Sequence, residues 1–133
     1  MPAESNTELI RKLGIKEGFS VIVFNEPENY WDWLAPLPEN IAVKTRGKEF
    51  DFVHWFVMEN KLFEKEFHKK KALLKKNGML WMSWPKKASK VITDLNENII
   101  RDFALKNGLV DVKVCSVNEV WSGLKLVYRL TDR

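Results

Sequence analysis

Three apolar runs rich in β-branched and aromatic residues, at positions 19–24, 50–58 and 79–84, are separated by segments whose apolar residues recur at helical spacing. This alternation constrains the chain most. Strands buried on both faces and spaced by helices assemble into a mainly parallel sheet with helices packed on it. The first run, Phe19-Ser20-Val21-Ile22-Val23-Phe24, follows Gly18 and reads as a strand buried on both faces. The second is interrupted only by Asp51 and His54, and the third ends at Pro85.

The intervening segments supply helices. Ser5 and Glu8 have capping-box spacing ahead of Leu9, Ile10 and Leu13, and Gly14 closes that helix. Tyr30, Trp31, Trp33 and Leu34 form a short helix stopped by Pro36 and Pro38, and residues 41–45 a brief strand before the turn Arg46-Gly47-Lys48. A helix is expected over residues 60–77. Leu62, Phe63, Phe67, Leu73 and Leu74 gather on one side, Lys61, Lys65, Lys69, Lys71, Lys75 and Lys76 occupy the rest, and Asn77-Gly78 is its stop. Asp94 and Glu97 open the next helix, with Thr93 sharing the cap; it buries Ile99, Ile100, Phe103 and Ala104 and runs to Gly108. Residues 110–117 and 124–130 are strands joined by a link too short for a helical crossover, which makes them an antiparallel hairpin.

A chain of 133 residues suits one domain, residues 1–133, and 45% hydrophobic with 30% charged residues is a globular composition. Six tryptophans supply large apolar area for a core or an interface. The net charge of +4 attracts anions only weakly, and the lysines of the long helix are interleaved with Glu64 and Glu66, so a nucleic-acid partner is not expected. The lone Cys115 excludes an intramolecular disulfide and fits a reducing cytosol; without an adjacent base it reads as a small buried side chain. His54 and His68 lack metal-ligand spacing, so no metal site is expected, and His54 reads as a satisfied core group. The polar residues 1–7 are unlike a signal peptide and no apolar run is long enough for a bilayer, which leads to an expected cytoplasmic location with no membrane partner.

Phe50-Asp51-Phe52-Val53-His54, then a helix, then Leu74-Lys75-Lys76-Asn77-Gly78-Met79-Leu80-Trp81, resembles the middle of a class I methyltransferase, with the closing hairpin similar to its sixth and seventh strands. More specifically, Ser83-Trp84-Pro85-Lys86-Lys87, Thr93-Asp94-Leu95, Gly108-Leu109-Val110-Asp111 and Val120-Trp121-Ser122-Gly123 resemble a bacterial family of small methyltransferase-like domains of unknown function. The resemblance implies a Rossmann-like α/β fold, a mainly parallel sheet flanked by helices with a C-terminal antiparallel hairpin, and S-adenosylmethionine as the cofactor to consider. Where such a fold has a glycine-rich turn after its first strand, this chain has Asn25-Glu26-Pro27-Glu28-Asn29. Thr45-Arg46-Gly47 replaces the acidic residue ending the second strand, and the interval before the fourth family strand is too short for the usual elements, so a reduced strand number is expected.

Two groups of candidate site residues follow. Asn25, Glu26 and Asn29 lie at the carboxyl end of the first strand, where open α/β sheets hold ligands; the same residues are also ordinary turn and cap chemistry. Trp84, Lys86 and Lys87, with Lys90, follow another strand and offer an aromatic face and ammonium groups to an anion, or else are solvated loop residues. Three functions remain open. One is a degenerate, non-catalytic domain binding a small polar or anionic ligand, or a protein partner such as a second copy, at the carboxyl edge. Another is an active methyltransferase in which Asn25, Glu26 and Asn29 replace the glycine motif. The third is a nucleic-acid module using Lys86, Lys87, Lys90 and the lysine helix. The missing glycine turn favours the first.

Overall fold

The computed structural model describes residues 2–133, with side chains from Glu8 onward. Helix α1 (Pro2–Leu13) leads to strand β1 (Ser20–Phe24), the short helix α2 (Tyr30–Leu34), strands β2 (Ala42–Val43) and β3 (Phe50–Phe56), helix α3 (Asn60–Lys71) and strand β4 (Leu74–Pro85). Helix α4 (Glu97–Lys106) and the hairpin β5 (Leu109–Ser116) and β6 (Trp121–Tyr128) complete the chain. Among the described residues six strands form one mixed sheet in the order β2-β1-β3-β4-β6-β5. The first four are mutually parallel and β6 runs antiparallel to both β4 and β5. This is the expected Rossmann-like architecture, and no helix among the described residues is long and apolar enough to cross a membrane.

Alternation along the central strands divides the core in two. Val53 and Trp55 of β3, with Leu80, Met82 and Trp84 of β4, face Phe63 and Phe67 of α3 and Ile100 and Ala104 of α4. Phe52 and Phe56, with Trp81, face Leu9 and Leu13 of α1 and Tyr30 and Leu34 of α2. The Trp81 indole N–H donates to the Leu13 carbonyl at 2.8 Å, satisfying a last-turn oxygen of α1 while fixing that helix to the sheet.

The helix expected over residues 60–77 is shorter. It ends at Lys71, Phe50 N–H donates to the Leu73 carbonyl, and Leu74 already pairs with Phe50 as the start of β4. Lys75 and Lys76 therefore belong to a strand, and Lys75 Nζ reaches Asp51 at 3.0 Å. Against the upward pull of burial, hydrogen bonds from the Ser20 N–H and hydroxyl and from Lys75 hold the Asp51 carboxyl below its usual range. Gly78 is not a helix stop: a Cβ there would lie 2.6 Å from the Phe50 carbonyl oxygen, so glycine permits the close approach of β4 to β3 at a register shift.

Two further expectations change. Asp94 does not cap its own helix, because Asn96 Oδ1 accepts from Ile99 N–H at 2.9 Å and α4 begins at Glu97. The Asp94 carboxylate instead accepts from Asn60 N–H at 2.7 Å, capping α3 from a distant segment. Thr93 donates to the Met58 carbonyl at 2.5 Å and accepts from Leu95 N–H, which ties the same loop to the end of β3. Helix α1 begins ahead of Ser5, whose side chain lies outside the described residues, so the Ser5–Glu8 box does not mark its start.

The buried polar core is a hydrogen-bonded chain. His54 is 0% exposed, with Tyr30 Oη 2.8 Å from Nδ1 and Ser83 Oγ 2.7 Å from Nε2. Burial lowers its pKa from 6.5 to about 3, so the ring is neutral and has one donor and one acceptor for the two hydroxyls.

Gly78→Ala forces the Phe50 backbone to move and is expected to destabilise by about 1–3 kcal/mol in chemical denaturation. His54 takes a proton in the unfolded chain below about 6.5 but in the folded one only near 3, so its contribution is full above the upper value and is lost as pH falls through that window. Unfolding free energy is expected to fall by about 2 kcal/mol between about pH 7 and about pH 5. His54→Gln, which keeps a donor and an acceptor but does not titrate, flattens that slope; an unchanged slope would assign the acid sensitivity elsewhere.

Candidate functional site

The strand order reverses between β1 and β3, and in open α/β sheets the crevice outside the carboxyl ends at such a point is where ligands bind. Asn25 immediately follows β1. Its backbone is left-handed, φ 59°, and its side-chain amide donates to the Phe56 carbonyl of β3 at 3.3 Å, spanning the crevice. Asn29 is also left-handed, φ 70°, and flanks α2 without a side-chain cap hydrogen bond. The turn thus takes the backbone shapes glycine ordinarily supplies while carrying side chains. Glu26 is exposed, and its charge adds to burial in raising the Tyr30 pKa well above 10.

The end of β2 carries Lys44, Thr45 and Arg46 rather than an acid. Residues 44–49 cross from β2 over β1 to β3 without a helix, although such parallel crossovers usually take a dozen residues or more. Gly47 at φ 128° and Glu49 at φ 63° make the tight path. Between this strap and α3 lies a cavity of about 260 Å³ floored by Ile22 and Phe24 and edged by Arg46 and Lys70. Lys70 is buried rather than solvated, its Nζ 4.4 Å from the Phe24 ring centroid, 5.0 Å from that of Trp55 and 3.5 Å from Glu66.

Beyond β4 a groove of about 470 Å³ is lined by Trp84, Lys87, Lys90, Ile92, Thr93 and Asn96, among others. Trp84 is only 5% exposed, so it offers the groove an edge of a ring otherwise committed to the core. Lys86 points elsewhere: its Nζ donates to Ser116 Oγ at 2.6 Å and its N–H to the Val120 carbonyl, fastening the loop to the hairpin turn. Of the predicted site residues the structure therefore places Trp84 and Lys87 in one groove with Lys90, while Asn25, Glu26, Asn29 and Lys86 are not part of its lining. Sequence reasoning missed Asn60, whose Oδ1 is buried without a hydrogen-bond partner beside the Asp94 contact. No periodicity signals it; only the fold brings residues 60 and 94 together.

Cys115 packs on the α1 face of the sheet and is not on the groove's lining. Burial raises the Cys115 thiol pKa, against the pull of Lys113 and Lys12, which keeps it in the thiol form. Among the described residues no three His, Cys, Asp or Glu side chains gather where they could share a metal ion.

No family model and no curated protein matches the sequence. Solved structures match its shape over nearly the whole chain. The complex of DhpI with S-adenosylhomocysteine is similar at a TM-score of 0.65 with 11% identity, covering 96% of this chain and 84% of that one. A SAM-dependent methyltransferase from Aquifex aeolicus gives 0.61 with 13% identity over 91% and 88%, and the magnesium protoporphyrin IX methyltransferase of Synechocystis PCC 6803 gives 0.59 with 11% identity over 96% and 77%. The chain has the Rossmann-like fold of the class I SAM-dependent methyltransferases.

Proposed function

We propose that this chain is a catalytically degenerate methyltransferase-fold domain that binds a small organic anion in the groove beyond β4. The observation that carries the degenerate reading is Asn25, whose side chain bridges from β1 to the Phe56 carbonyl where a glycine turn would leave backbone open to a cofactor. The groove supports the ligand class. Lys87 and Lys90 supply charge, Thr93 and Asn96 polar groups, and Trp84, Val91, Ile92 and Leu95 apolar wall. Ile92, 93% exposed at the rim, is available to close over a bound apolar body.

A second reading, an active S-adenosylmethionine-dependent enzyme, draws on the left-handed backbones of Asn25 and Asn29, which preserve the turn shape in the absence of glycine. Some of the similar structures are named as holding this cofactor or its product. Isothermal titration with S-adenosylmethionine and S-adenosylhomocysteine separates the two. The degenerate reading expects no heat and no rise in melting temperature; binding in the range of about 1–100 μM that Asn25→Ala abolishes would establish the second. For the groove, the aromatic sulfonate 8-anilinonaphthalene-1-sulfonate is the probe. Its fluorescence is expected to rise with protein, and the double substitution of Lys87 and Lys90 by Ala to weaken it about tenfold; equal binding by wild type and variant would remove the groove from consideration.

A further inference from the structure

The opposite edge of the sheet carries a second, unassigned cluster. Lys125 of β6 lies directly across from Lys113 of β5 and, on its other side, from Trp81 of β4. The register therefore puts Lys125 and Lys113 on the face that Trp81 presents to α1. Like charges directly opposite on neighbouring strands repel, and a hairpin usually sets an acid against a lysine. An acid is close in sequence: Asp111 is two residues before Lys113. The bulge between Asp111 and Lys113 moves it away, so that Asp111 pairs across from Leu126 on the α4 face and accepts from Arg101 Nε at 2.9 Å. The bulge thus separates the acid from the lysines.

Other contacts add to the cluster. Lys113 Nζ donates to the Lys12 carbonyl at the end of α1 at 2.8 Å, holding its charge above the face. The Lys125 ammonium has no hydrogen-bond or ion-pair partner among the described residues, and half-burial together with Lys113 and Lys16 makes it easier to deprotonate. Beside it is a cavity of about 290 Å³ with Met79, Val112 and Val127 on its walls and Asn77 and Arg133 at its sides. Arg133 is positioned by its Nε–H, which donates to the Tyr128 carbonyl at 3.0 Å.

We propose that this cavity is an anion site for a diphosphate group, with Lys125 and Arg133 as the cations on its lining and Lys113 across the hairpin from Lys125. Ammonium groups bind phosphate oxygens as point charges, and a ligand carrying two or more negative charges relieves a repulsion that the fold leaves uncompensated. The cavity accommodates a small group, so the recognised chemistry is the diphosphate itself, free or as part of a nucleotide. This site is separate from the groove beyond β4 and does not rest on the function proposed for it.

The test is calorimetric titration of the full chain with inorganic pyrophosphate, and separately with adenosine diphosphate, at constant ionic strength. Lys125→Met keeps the apolar stem and removes the charge, and is expected to weaken pyrophosphate binding at least tenfold. Arg133→Met, at an exposed position on the same lining, gives the same reading should Lys125→Met fail to fold. Lys106→Ala, at an exposed position on α4 outside both cavities, is expected to leave the affinity unchanged. Adenosine diphosphate binding as tightly as pyrophosphate identifies the free diphosphate as sufficient, and tighter binding identifies a nucleotide; both support the site. No heat with either ligand, or pyrophosphate binding unaltered in the folded Lys125 and Arg133 variants, overturns it.

Discussion

The position of the carboxyl edge depends on a neutral imidazole. His54 links Tyr30 of α2 to Ser83 of β4 through β3, and among the described residues neither hydroxyl has another hydrogen-bond partner to replace it. Buried polar groups of this kind are costly when unpaired and specific when paired. A helix of five residues has little stability of its own. Its place is set by this chain and by the rings around Tyr30, which meets Trp31, Trp33, His54 and Phe56 edge-on. Because α2 is held to the sheet, the turn from Asn25 to Asn29 is held at both ends, and the amide of Asn25 stays within reach of Phe56.

Shortening the chain between β2 and β3 has a matching consequence on the other face. With a strap in place of a crossover helix, β1 has less cover, and Ile22 and Phe24 rely on α3 and the strap. The aliphatic stem of Lys70 helps fill that space while its ammonium lies over two rings and against Glu66, so a lysine acts partly as a core side chain. The reduced strand number is thus accommodated by side chains that a lysine-rich helix pattern would assign to solvent.

The strand–helix alternation and the closing hairpin were legible because each rests on local patterning: paired-face burial in β1, β3 and β4, and a link too short for a crossover between β5 and β6. What was not legible depended on contacts between distant residues. Leu73 and Leu74 continue a helical period, but Leu74 pairs with Phe50, and that pairing ends α3 early. Gly78 looks like a helix stop until the Phe50 carbonyl is placed against it. Asp94 has the chemistry of a cap and is one, for a helix 34 positions earlier in the chain. At the candidate site, Trp84, Lys87 and Lys90 were readable as a loop after a strand, whereas the diversion of Lys86 to Ser116 required knowing that the hairpin turn folds beside it.

Net charge is a poor guide to a chain arranged in this way. An excess of +4 would be mild if the charges were evenly mixed, and on α4 they are, through Arg101 with Glu97 and Asp111, whereas α3 sets five lysines against Glu64 and Glu66. The bulge in β5 changes the local balance without changing the sum. By sending Asp111 to the α4 face it completes an ion pair there and leaves Lys113 and Lys125 facing one another on the α1 side. One inserted residue therefore both strengthens a helix contact and concentrates positive charge on the opposite face. The fold analogy alone draws attention to the carboxyl edge of the sheet, but electrostatics follows side-chain register, and register sets two lysines opposite one another on the α1 face.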